Sequence, residues 1–151
     1  MKDLSLKILL ALSRRARSDG VERLRSILDR TDPKDLSLRR YLLELSADQE
    51  GRLREMERYD LRVEGPVSWR PDEAKTKRLL RRFFPSVSQR LGDSPVNREA
   101  AMHFVERLEV EITRFYQAIA SRAPDDDSRI FFSKEVESAT SRLKVHREVL
   151  L

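Results

Sequence analysis

Apolar residues recur at helical spacing along nearly the whole chain, and the pattern breaks only three times, twice briefly and once at length. The first segment, residues 4–29, places Leu9, Leu12, Ala16, Gly20, Leu24 and Ile27 on one face, and Gly20 within it points to a close helix crossing or a kink. Thr31-Asp32-Pro33 then combines a stop with a start, because Asp32 can cap a helix and Pro33 fits a first helical turn. The second segment runs to residue 59 through Leu38, Leu42, Leu45, Gln49, Leu53 and Met56. Residues 60–94 break the pattern with Gly65-Pro66, Arg70-Pro71, Phe84-Pro85 and Gly92, leaving one short helix expected over 72–83. Ser94-Pro95 reads as the cap of a third helix reaching residue 122, and Pro124 with Asp125-Asp126-Asp127 makes the next turn. The fourth helix continues to the end through Ile130, Phe131, Val136, Ala139, Leu143 and Leu150. Short connections force antiparallel hairpins. The expectation is therefore one all-α domain over residues 1–151: a hairpin at 4–59, a crossover at 60–94, a hairpin at 95–151. A plain up-down bundle would not need so long a middle connection.

Four glycines and a charged fraction of 38% against 39% hydrophobic residues suit long amphipathic helices. The formal charge is +5, with both signs interleaved, the usual signature of solvated helix faces laced with ion pairs. There is no cysteine, which excludes disulfides, Cys-ligated zinc and a cysteine nucleophile. The start of the chain faintly imitates a signal peptide, but Lys7 interrupts its apolar run and Arg14-Arg15 follow where small residues should stand. It reads instead as the first turns of a helix. No stretch approaches the roughly 18 apolar residues of a membrane span; a cytoplasmic protein without membrane partners is the expectation.

One charged residue interrupts the third helix's apolar stripe of Met102, Val105, Glu109, Ile112, Tyr116 and Ile119. A carboxylate there is costly unless paired or metal-bound. The segment Glu109-x-x-Ile112-x-x-Phe115-Tyr116-x-x-Ile119-Ala120 resembles the third helix of rubrerythrin-type, ferritin-like four-helix bundles. In that family the glutamate is a di-iron ligand, and a complete site takes a Glu from two helices and Glu-x-x-His from the other two. The resemblance places the remaining ligand positions at Arg15 on helix one, Gln49 and Arg52 on helix two, and Ala139 and Arg142 on helix four. One ligand in six would survive, at Glu109. Helices two and four also resemble each other: Leu42-x-x-Leu45-Ser46-x-x-Gln49-x-x-Arg52-Leu53 matches Phe132-x-x-Glu135-Val136-x-x-Ala139-x-x-Arg142-Leu143, as expected of two related helix pairs.

Arginine stays protonated and has no lone pair to give a metal, so Arg15, Arg52 and Arg142 would put fixed positive charge where cations stand in the family. Glu109 then has three readings: a boundary carboxylate reaching solvent or an arginine, a ligand of one weaker metal, or half of a buried ion pair. The resemblance thus implies a rubrerythrin-like protein with a degenerate site, no cofactor, a scaffold or regulatory binding role toward an unidentified protein partner, and pairing into homodimers. The alternative is an iron- or manganese-dependent oxidoreductase with a rearranged site drawn from Glu109, Glu106, His103, Glu50 and Glu137. His103-x-x-Glu106, with Glu109 three residues on, has helical spacing that could hold a metal from one face, but one helix offers too few ligands and no partner histidine is identifiable, so His103 reads as a surface residue; His146 suits the C-terminal end of its helix as a positive charge. Lys75, Lys77, Arg78, Arg81 and Arg82 form the densest basic run. They mark a third reading, nucleic-acid or other anion binding, set against a solvated helix whose Leu79, Leu80 and Phe83 pack inward. Trp69 and Tyr116 read as packing residues. No Gly-rich phosphate loop, Ser-His-Asp order or helix-turn-helix signature is present.

Overall fold

The protein was analysed as a computed structural model, which describes residues 6–64, 72–89, 92, 94–123 and 125–150. Among these every regular element is a helix: α1 (Leu6–Arg30), α2 (Leu36–Glu64), α3 (Glu73–Phe83), α4 (Pro85–Ser88), α5 (Arg98–Ser121) and α6 (Asp126–Leu150). The four long helices follow the four periodic segments. α1 packs on α2, α5 packs on α6, and α1 also lies along α5.

Directions follow from the contacts. Gln49 meets Glu109 and Met56 meets Tyr116, so α2 and α5 run parallel. Tyr41 meets His146 and Asp48 meets Arg142, so α2 and α6 run antiparallel. A parallel neighbour cannot be reached by a tight turn, and the chain must travel back along a bundle of about 36 Å, at 1.5 Å per residue of α5. The return is anchored where it arrives: the Val96 amide donates to the Arg30 carbonyl at 2.9 Å, and Arg30 Nη1 donates to the Ser94 carbonyl. On the way, α3 and α4 lie against α1, and α4 against α5. The Phe84 and Phe115 rings meet at 4.7 Å, while Glu111 accepts hydrogen bonds from the amide and hydroxyl of Ser86.

Helix starts lie one to three residues from the expected ones. Asp35, not Asp32, receives the amide of Leu38 at the start of α2, while Asp32 is spent on the Lys34 amide in the preceding turn. Asn97, not Ser94, caps α5 by accepting from the Ala100 amide at 2.8 Å. Asp125 caps α6 through the Ser128 amide, and Asp126 and Asp127 fill its first turn, where carboxylates complement the helix dipole. α2 continues past residue 59 to Glu64. The inward face of α6 differs more. Phe132, Glu135, Ala139 and His146 are buried, whereas Ile130 is 53% exposed and Phe131 and Val136 only flank the core.

The core divides in two. One cluster joins Leu9, Leu12, Ala16, Met56, Ile112, Phe115 and Phe132, with Leu80, Phe84 and Val87 of the crossover closing its side. The other joins Leu24, Ile27, Leu38, Leu42, Met102 and Val105. Residues 17 and 49 lie between these two clusters in sequence on their helices, residue 109 stands at the same boundary on α5 beside Leu108 of the first cluster, and all three side chains are polar.

Gly20 marks a close crossing, as its position in the apolar face suggests. A Cβ there would lie 3.2 Å from Leu108 Cδ2. Gly51, in contrast, faces only the tip of Arg54. Gly20→Val is therefore expected to lower stability by about 1–3 kcal/mol through overpacking, and Gly51→Ala to raise it by about 0.5–1 kcal/mol through helix propensity. Urea unfolding of both variants checks this; a tolerated valine at position 20 would refute the close approach.

Candidate functional site: a buried arginine–carboxylate network

α1 brings Arg17, not Arg15, to the centre of the bundle. Two residues along a helix is a rotation of about 200°, so the pair points to opposite sides. Arg15 faces outward, where it pairs with Asp19 and, at 2.9 Å, with Glu73 of α3. The register is fixed by the row Leu10, Ser13, Arg17, Val21 and Leu24, all buried. Arg15 is thus removed from the set of central residues, and Arg17 takes its place.

The Arg17 side chain is fully buried and donates along three directions: Nε to the Tyr116 hydroxyl at 2.9 Å, Nη1 to Gln49 Oε1 at 2.5 Å, and Nη2 to Glu135 Oε2 at 2.7 Å. One side chain of α1 therefore holds α2, α5 and α6 together. Its guanidinium also lies over the Tyr116 ring, and the Tyr116 hydroxyl donates a hydrogen bond to Met56 Sδ at 2.9 Å.

Gln49 turns the network. Its carbonyl oxygen receives Arg17, and its amide donates to Glu109 Oε1 at 2.8 Å. The same Glu109 oxygen accepts from Arg142 Nε at 3.0 Å, and Arg142 Nη1 reaches Asp48 at 3.1 Å, nearer the surface. Arg52 lies 3.5 Å from the second oxygen of Glu135 and 3.8 Å from Glu55. Guanidiniums from Arg17, Arg52 and Arg142 thus face carboxylates of Glu109, Glu135 and Asp48. Ala139 is buried among apolar side chains and contributes no polar atom. Glu109 Oε2 and Arg142 Nη2 are buried without a hydrogen-bond partner in the protein.

Burial opposes the charge on Arg17, but Tyr116, Glu135 and Glu109 outweigh it and hold the guanidinium above its ordinary value. Burial pushes the Glu109 carboxyl above its usual range, against the pull of Arg142 and Arg17. Burial also raises Tyr116, against Arg17, which keeps its hydroxyl protonated.

The remaining candidates do not converge. His103 is exposed; Glu106 stands 3.9 Å from Arg147; Glu50 pairs with Arg25; Glu137 is exposed on α6. Among the described residues no group of three or more His, Asp or Glu side chains gathers as a metal site. The residues at the centre do not fit a di-iron centre, because its two buried carboxylates are already engaged by guanidiniums that cannot serve as ligands. Lys75, Lys77, Arg78, Arg81 and Arg82 are all exposed on α3, whose Thr76 and Leu80 are buried. Trp69 lies outside the described residues. Against protein-family profiles, curated proteins and solved structures, the chain finds no match.

Sequence reasoning passed over Arg17, Glu135 and Asp48 in the network and misread His146 outside it. Arg17 could have been found by extending the α1 apolar row one position sideways, since a lone arginine there is as costly as Glu109. Glu135 stood one turn ahead of the position assigned on helix four. His146 is buried, not a solvated cation at a helix end: its ring meets Tyr41 edge-on, with Nε2 3.3 Å from the Tyr41 hydroxyl, and desolvation lowers its pKa to about 4.

Two outcomes are expected. Arg17→Met leaves Glu135 and Gln49 buried without their donor and should cost about 3–5 kcal/mol in urea unfolding. Adding Glu135→Leu should recover much of that loss; a double variant no better than the single would deny that Arg17 and Glu135 act as a pair. For His146 the folded state favours the neutral ring, so its contribution is intact above pH 6.5 and lost as pH falls through about 4. The difference in stability between wild type and His146→Gln should shift by on the order of 3 kcal/mol across that window. A pH-independent difference would place the ring in water.

Proposed function

We propose that this chain is a rubrerythrin-related, ferritin-like bundle in which an arginine–carboxylate network stands in place of the di-iron centre, and that it works as a non-enzymatic scaffold or regulatory binding protein. The observation that carries this reading is Arg17, fully buried, with three directed hydrogen bonds to three other helices. A fixed monovalent cation there meets the electrostatic need of Glu135 directly, and Gln49 links it to Glu109, whose own partner is Arg142. The topology supports the fold part of the reading, since two antiparallel hairpins joined by one long crossover is the ferritin-like arrangement.

The oxidoreductase alternative is the weaker one. It draws on His103, Glu106, Glu50 and Glu137 beside Glu109, and of these His103 and Glu137 are exposed while Glu106 and Glu50 are engaged by Arg147 and Arg25. A binding role requires none of them. It needs a rigid body with exposed helix faces, and a network tying four helices to one guanidinium supplies rigidity without a cofactor.

Elemental analysis of protein produced with iron and manganese in excess is the test. Substoichiometric metal is expected, with unfolding unchanged by a strong chelator. Two metal ions per chain, or a chelator-dependent loss of stability, would overturn the reading.

A further inference from the structure

The basic run on α3 does not act as one surface. Lys77 and Arg81 turn toward α1 and line a cleft of about 280 Å³ between α1 and the α3–α4 segment, while Lys75, Arg78 and Arg82 do not line it. Across the cleft α1 presents Arg15, Asp19 and Arg23, spaced one helical turn apart on one face. Leu80 and Val87, both buried, form its apolar wall.

The charges in this cleft are unbalanced. Four cations face one carboxylate, and that carboxylate, Asp19, is already bonded to Arg15, which Glu73 also engages. Among the described residues Arg23, Lys77 and Arg81 make no ion pair within 4 Å, and Asp19 and Glu73 act on Arg23 and Lys77 only at longer range, although all three cations line one concavity. Like charges placed together without a counter-anion repel, and folding gains nothing from it. An apolar wall sharpens the effect, because low-dielectric surfaces focus the field of the cations into the cleft.

We propose that this cleft binds a small phosphate-bearing anion, with Arg23 and Arg81 as paired guanidinium donors and Lys77 as a point charge. Planar guanidiniums match two phosphate oxygens at once, which is why arginine serves this chemistry. Arg15 stays in its pair with Glu73 and ties α3 to α1, so that the two halves of the site keep their spacing. The inference does not depend on how the centre of the bundle is read, since no residue of the buried network lines the cleft.

Calorimetric titration of the full chain with pyrophosphate, at constant ionic strength set with chloride, tests it. One saturable site per chain is expected. Arg23→Gln and Arg81→Gln should each weaken it about tenfold, the usual scale for one charge-assisted contact. Lys77→Gln, at an exposed position with no ion pair to lose, gives a second variant that should fold and should weaken it too. Arg78→Gln, outside the cleft, should leave the affinity unchanged. Absence of a saturable site would overturn the proposal, as would equal weakening by Arg78→Gln, which would mark diffuse surface charge. Displacement of pyrophosphate by a single-stranded oligonucleotide whose own binding depends on Arg78 as much as on Arg23 would make the whole basic surface a nucleic-acid binder. That result too would overturn it.

Discussion

A guanidinium buried in the middle of a helical bundle leaves little freedom in how the helices can be arranged. Arg17 reaches α2, α5 and α6 at once, with each donor nitrogen committed to a different helix. Sliding any one helix by a turn moves its partner atom by about 5.4 Å and strands a charge in apolar surroundings. Apolar contacts alone would tolerate such slips, because one leucine row fits another in several registers. The polar layer therefore acts as the register mark for two apolar clusters that flank it, a role for which single buried polar residues are well attested in coiled coils. It adds uniqueness more than raw stability. Removing both members of a buried pair is often nearly neutral, while removing one is severe.

The same logic explains what was legible in the sequence. Helix existence followed from apolar spacing, since α1, α2 and α5 each bury most of the face their period predicts. The crossover followed from the one long gap. Failures came where two signals competed. Asp32 and Ser94 are good capping residues, but Asp35 and Asn97 stand nearer the first helical turn and take the amides. On α6 the apolar residues lie on two sides, so periodicity could not choose between Ile130 and Phe132, and burial of Glu135 beside Phe132 decided it. The largest error concerned Arg15 and Arg17. Both are arginines on one helix, and the family resemblance chose the one that turns away from the centre toward Asp19 and Glu73. What separated them was the position of Ser13, Ala16 and Gly20, small residues that let neighbouring helices approach and so define the inward side.

α3 shows how a charge run acquires different parts from one fold. Thr76 and Leu80 anchor it, which turns Lys77 and Arg81 toward α1 and leaves Lys75, Arg78 and Arg82 outside the cleft. Composition sees five equivalent cations; packing makes two groups. The pairing of Arg15 with Glu73 then has a structural sense of its own, because it crosses from α1 to α3 and is independent of the buried network. Loss of the expected central role for Arg15 is thus the gain of a tie between the crossover and the bundle.

A metal centre and a guanidinium network solve the problem of buried carboxylates under different conditions. A metal site is satisfied only after ions have been captured, and until then its carboxylates repel one another. Arginine arrives with the chain. Arg17, Arg52 and Arg142 carry their charges from synthesis onward, so Glu109 and Glu135 meet their partners in the same step that packs the helices. These pairs need no ion to form, whereas chemistry on a metal needs open coordination positions. The four helices that these pairs join have outer faces free to differ, and the cationic cleft beside α1 lies on one of those faces.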